Sequence, residues 1–230
     1  MLVLFSLRSS AQKDSAQKEL RWSVGVVASP DFDYIFNTQD NFSHTSIYTN
    51  KPKFGYTGGI NMNYMFSQFA GLEFGLQYVN MGLITQWTFS NGPNTIISIP
   101  PNNIVKEVDK SNVNLLYVPI KINFFAGKGR IRYIGSVGAA FGLNYSEADI
   151  TTTTYLNGQT SRNREVYPST PLDECIFAQV SSGIVYLAGN RFTFRAEPTF
   201  RLQVFDSMGG GFGQSYLWSA GIVFGAYYHF

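Results

Sequence analysis

Residues 215–230 alternate with a period of two. Tyr216, Trp218, Ala220, Ile222, Phe224, Ala226, Tyr228 and Phe230 share one face. Leu217, Ser219, Gly221, Val223, Gly225, Tyr227 and His229 share the other. Successive side chains of an extended backbone point to opposite sides, so this period predicts a strand. The pattern occurs in seven earlier segments, roughly at 20–29, 54–66, 70–89, 112–125, 130–145, 175–187 and 191–205. It is clearest in the last of these, where Phe192, Phe194, Ala196, Phe200 and Leu202 oppose Thr193, Arg195, Glu197, Thr199, Arg201 and Gln203. Eight strands are expected.

The polarity of the two faces decides the architecture. One face is apolar and aromatic across all eight strands. The other carries Glu73, Lys121, Arg132, Arg195, Glu197 and Arg201 among Gly, Ser, Asn and Gln. A soluble eight-stranded barrel also alternates, but turns its apolar face inward and its charged face to water. Here the small and polar residues suit a narrow packed lumen. An uncharged face of this extent would be an adhesive patch in water, and lipid requires such a face.

Connection lengths alternate between long and short. The short ones lie around Ser67-Gln68, at "AGKG" (126–129) and at "AGN" (188–190), with longer segments between. Tight periplasmic turns and long extracellular loops sort in this way in outer-membrane barrels. The predicted fold is an all-β, eight-stranded antiparallel up-and-down transmembrane barrel spanning 20–230. Its even strand count puts both termini in the periplasm of a Gram-negative cell. "TTTT" at 151–154 is expected to raise strands above the membrane as an adhesive β edge.

Composition agrees. Charged residues are 14% of the 230, against about 25% in soluble domains. Aromatics reach 16%, and there are 22 glycines. A net charge of +2 with no basic stripe argues against nucleic acid. No run of 18 apolar residues predicts a membrane helix. "MLVLFSLRSSAQ" has a short apolar core followed by small residues, with Ser9 and Ala11 placed for cleavage before Gln12. Residues 1–11 therefore read as the remnant of a secretory signal and 12–19 as a periplasmic lead.

Little in the sequence points to catalysis or cofactors. His44 and His229 would lie on opposite sides of the membrane, so they share no metal site or relay. No Gly-x-Ser-x-Gly is present. "GGGFG" (209–213) lacks the Lys-Ser/Thr of a phosphate loop. The lone Cys175 matches no metal spacing and reads as a small wall residue. The chain is expected to be non-enzymatic, without cofactor or metal. The lumen charges form the strongest polar signal, and charges buried there must be paired. Four bases against two acids would make acid the scarce partner, so Glu197→Gln should destabilise more than Arg195→Gln. On the lipid face, Phe194→Arg and Ile222→Arg should impair insertion, while the lumen changes Thr193→Arg and Gly221→Ser should be milder.

Three stretches carry a family resemblance: "LLYVPIKINFF", "RYIGSVGAAFGLNY" and "DECIFAQVSSGIVYLAGNRFTFRAEPTFRLQVF". In order and character they resemble the small outer-membrane β-barrels of the Bacteroidota, a group that includes the PorT-like proteins associated with type IX secretion. The resemblance implies an outer-membrane location in contact with lipid and lipopolysaccharide, and protein partners in a secretion or assembly complex. Tyr228 and Phe230 match the C-terminal aromatic signal that the barrel-assembly machinery reads. They also suit the aromatic girdle at a membrane interface, which Tyr216, Trp218 and Trp22 would share. The leading expectation is an accessory subunit of an outer-membrane complex. A stand-alone barrel for membrane stabilisation, adhesion or slow solute passage is the alternative, and an outer-membrane enzyme the third.

Overall fold

The computed structural model describes residues 21–37, 47–89, 103–168, 174–206 and 215–230. The signal remnant, the lead, Leu20, His44 and the 209–213 glycine run lie outside these residues, as does the side chain of Tyr216. The strands are β1 (Trp22–Asn37), β2 (Ile47–Lys51), β3 (Lys53–Met65), β4 (Ala70–Thr88), β5 (Ile104–Ala126), β6 (Ile131–Tyr155), β7 (Thr160–Pro168), β8 (Glu174–Ala188), β9 (Phe192–Asp206) and β10 (Ser215–His229).

Eight of them close a ring. Antiparallel ladders run β1–β3, β3–β4, β4–β5, β5–β6, β6–β8, β8–β9 and β9–β10, and β10 returns to β1. A closed ring has no edge and leaves no strand backbone unpaired in lipid. The seam is finished by the Phe230 N–H, which donates to the Trp22 carbonyl at 3.0 Å. Tight connections at 66–69, 127–130 and 189–191 mark the turn end of the barrel, and the longer segments mark the loop end.

The outside is apolar. Val26, Ile60, Leu76, Ile120, Val180, Ile184, Phe194 and Phe224 are all exposed on the ring's outer wall. Aromatic pairs bound this band. Trp22 meets Tyr64 at a tilt (4.7 Å) and Phe192 meets Tyr228 edge to face (5.4 Å) at the turn end, while Tyr34 and Phe200 meet Trp218 (both 5.8 Å) toward the loop end. On β10 the span from Tyr228 to Trp218 corresponds to about 25 Å of height at normal rise and tilt, the thickness of an outer-membrane apolar band. The fold is a transmembrane β-barrel.

Several strands are longer than the alternation predicts. β1 continues through Pro30 to Asn37. Pro30 has no N–H, and the ladder to β10 skips from Ala28 to Asp31 while that to β3 stays continuous. Pro119 and Pro198 sit beside similar one-sided gaps. At the loop end β4, β5 and β6 run past the ring and are joined by β2 and β7, forming a sheet ordered β2–β4–β5–β6–β7. Thr151–Thr154 therefore form no free edge: they pair with β5 on one side and β7 on the other. The outer edges belong to β2 and β7.

Candidate functional site

The inward positions of the ring bring together most of the charges named from sequence. Glu73 on β4 is fully buried, and Lys121 on the neighbouring β5 lies in register with it. Lys121 Nζ is 2.9 Å from Glu73 Oε1. Arg195 Nη1 reaches Glu73 Oε2 at 2.7 Å. Since β9 and β4 stand opposite each other in the ring, this bond crosses the full width of the lumen. Glu197 is more distant, 3.9 Å from Lys121 and 4.0 Å from Arg195, and takes hydrogen bonds from Ser181 (2.9 Å) and Ser136 (3.4 Å). Asn61 and Asn123 donate to the two oxygens of Glu73 at 2.7 and 2.9 Å. The Arg195 guanidinium lies 4.0 Å from the ring centre of buried Tyr227. Two acids and two bases balance here.

Arg201 belongs elsewhere. Its Nη1 pairs with Asp31 Oδ2 at 3.1 Å, and Asp31 also accepts from Thr57 (2.5 Å) and Ser29 (2.6 Å). Further toward the loop end, buried Asp33 lies in register with buried Lys53, whose Nζ donates to Asn80 at 3.0 Å. Arg132 stands apart near the turn end and makes no ion pair among the described residues. The expected excess of base is thus corrected. Asp31 and Asp33 supply acid and Lys53 one more base, so among the described residues the excess narrows to Arg132.

Two further features were not read from sequence. Beside the charged tiers lies an apolar plug of Val79, Met81, Leu115, Tyr117, Ala140, Cys175 and Phe177. Cys175 is buried there, as a wall residue. Glycines lie beneath large lumen side chains: a Cβ at Gly75 would stand 2.1 Å from Asn61 Oδ1, and one at Gly221 2.0 Å from Asp31 Oδ1. Gly221→Ser must therefore displace a neighbour, and Thr193→Arg must displace lumen packing, because Thr193 is buried with its hydroxyl 2.6 Å from His229 Nε2. Phe194 sits one outward position from the Phe192–Tyr228 pair, nearer the interface than mid-strand.

The second concentration of polar groups is the loop-end sheet. Its concave face presents Glu107, Asp109, Glu147, Asp149 and Glu165, around a cleft of about 380 Å³ that includes Ser111 and Tyr167. Burial and the neighbouring Asp109 push the Glu107 carboxyl above its ordinary range. The convex face presents Lys51, Lys106, Lys110, Arg162 and Arg164. No acid shares the convex face and no base the concave one among the described residues. Tyr228 and Phe230 are at the turn end, exposed on the outer wall, and Arg191 Nη1 donates to Tyr228 Oη at 3.1 Å.

No protein-family model matches the chain, and no curated protein matches it. Among solved structures, similarity extends to Neisserial surface protein A, with 11% identity, 91% of this chain and 97% of that one covered, and a TM-score of 0.45. It extends also to the attachment invasion locus protein Ail of Yersinia pestis, solved with the heparin analogue sucrose octasulfate (9% identity, 90% and 99% covered, TM-score 0.39). The outer-membrane protease OmpT of Escherichia coli is a third (7% identity, 95% and 99% covered, TM-score 0.41). The fold assignment rests on the closed register of the chain itself.

Proposed function

We propose that this chain is a non-enzymatic barrel of the Gram-negative outer membrane, with both termini in the periplasm and the β2–β4–β5–β6–β7 sheet projecting from the cell. Its lumen is a structural plug and its working surface is the projecting sheet. The observation that carries this reading is the Glu73–Arg195 bond of 2.7 Å across the width of the lumen, flanked by neutral ion pairs and an apolar plug. Eight strands leave an interior just wide enough for side chains, and here side chains fill it. A stand-alone small barrel for membrane stabilisation or adhesion fits this geometry better than a conduit for solutes. The test is conductance in a planar bilayer beside native co-purification. The reading predicts a closed trace. Stable single-channel steps would overturn the plug.

A second reading keeps the resemblance to PorT-like proteins and makes the chain an accessory of a secretion or assembly complex. The outer edges of β2 and β7, which pair with no further strand among the described residues, favour it, because an unpaired strand edge can accept a partner's strand. Recovery of one stoichiometric partner in gentle detergent, lost on placing proline at Asn163, would decide for it.

A further inference from the structure

We infer that the convex face of the projecting sheet is a docking surface for the phosphorylated sugar headgroup of the outer-leaflet glycolipid, lipopolysaccharide. The inference rests on the orientation proposed above. Registers place Lys51, Ile84, Lys110, Ile150 and Arg164 in one row across five strands, β2 to β7. Bases on alternate strands are about 10 Å apart, with a branched aliphatic side chain between each two. Arg162 and Lys106 lie in the rows above. Lys51, Lys110, Arg162 and Arg164 are exposed, and none of the face's bases makes an ion pair with a described residue. Their neutralising acids are on the opposite, concave face.

Height above the membrane selects the ligand. The apolar band on this side ends at the neighbouring rings of Tyr56, Tyr78 and Tyr145, where Tyr78 Oη and Asn80 Nδ2 both donate to Asn114 Oδ1 at 2.8 and 2.7 Å. Lys110 is two outward positions beyond Asn114 on β5, about 10 Å higher after allowing for strand tilt. That is the depth of headgroups, which add several ångströms beyond the hydrocarbon. The face is also continuous with the lipid-facing wall below it. A lipid in the outer leaflet would therefore meet the wall with its acyl chains and the row with its phosphates. Phosphate is held by charge-assisted hydrogen bonds from Arg and Lys.

The test uses the full chain folded in detergent, mixed with diphosphoryl lipid A, with dephosphorylated lipid A, or with dextran sulfate. Bound lipid per protein is measured after gel filtration. The wild type should retain diphosphoryl lipid A. The Lys110→Gln/Arg164→Gln variant should retain at least tenfold less, and the concave-face variant Glu107→Gln/Asp109→Asn at least as much as wild type. Equal retention of the dephosphorylated lipid would mean that acyl chains alone bind, and would overturn the inference. So would unchanged retention in the Lys110/Arg164 variant, or dextran sulfate displacing the lipid at equal charge, which would make the face a general polyanion surface. Failure of the barrel itself is distinguishable: it would show in every variant as a helical circular-dichroism spectrum and no heat-dependent gel shift.

Discussion

The lumen and the projecting sheet are built from the same strands, yet they arrange charge in opposite ways. In the lumen acids are paired with bases across strands: Glu73 with Lys121 and Arg195, Asp31 with Arg201. In the sheet, β5 carries Lys106 and Lys110 at one parity and Glu107 and Asp109 at the other, and the pleat sends the signs to opposite faces. The difference follows from the solvent. An unpaired charge inside the barrel costs several kcal/mol, so selection for a folded chain enforces pairing across strands. Above the membrane water screens like charges, and a face of one sign is tolerated and free to bind.

The largest contrast should come from removing one carboxylate in each region. Glu73→Gln leaves Lys121 and Arg195 facing one another in the lumen, a loss of about 3–5 kcal/mol, read as a lower temperature of gel-shift unfolding. Glu165→Gln in the sheet should change that temperature hardly at all, since exposed charges contribute about 0–1 kcal/mol. Equal effects would mean that water reaches the lumen and screens it. Glu197, with its ion contacts at 3.9 and 4.0 Å, should rank below Glu73.

The next contrast concerns the outer wall. Ile222 and Ile150 both point outward, one on the ring and one on the sheet. Ile222→Arg should cost about 2–4 kcal/mol and lower the amount of inserted protein, because arginine at mid-membrane is desolvated. Ile150→Arg should insert normally. If Ile150→Arg also fails to insert, the sheet is immersed in the bilayer, and the height assigned to the basic row is wrong. A smaller effect separates the inside of the ring from its outside. Gly221→Ser must displace Asp31 or the Pro30 carbonyl and should cost about 1–3 kcal/mol. Gly135→Ala, with nothing within 4 Å of its new Cβ, should be silent.

The same contrast explains what could be read from sequence. The ring was legible because lipid on one side and a packed lumen on the other impose hydrophobic alternation on every strand. Glu73, Lys121, Arg195 and Glu197 were legible as charges on the inward face of strands whose outward face is greasy. Asp31 and Asp33 were hidden behind Pro30, which reads as a strand end, although a one-sided gap in the ladder accommodates it. The sheet was hidden for a different reason. With water on both sides, "KEVDK" and "SRNREVY" have polar residues on both faces, so their hydrophobicity does not alternate and they read as loop. Their signal was alternation in the sign of charge, which the hydrophobic pattern does not score. Arg132 shares the inward parity of its strand but lies near the turn end, and parity alone cannot give depth.

The smallest expected effect is a pH dependence confined to the sheet. Glu107 faces Trp87 of β4 and Thr153 of β6 across the ladders, with Asp109 the next inward residue on its own strand. Burial raises its pKa, and repulsion from Asp109 raises it further. A carboxyl whose folded pKa lies above its unfolded value binds a proton more tightly when folded. It therefore contributes stability that is full below the ordinary carboxylate range and is lost as pH rises through the raised value. Amide hydrogen exchange across 104–109 should accordingly be slower, after correction for intrinsic rates, near pH 5 than near pH 7. In Glu107→Gln that difference should shrink, because no proton is left to release. The strands that carry the Glu73 cluster, β4 and β9, should show no parallel change over this interval, since Lys121 and Arg195 are bonded to Glu73 at 2.9 and 2.7 Å. A pH response of equal size in β4 and β9 would mean that the lumen exchanges protons with water, and the two regions would then follow one electrostatic rule instead of two.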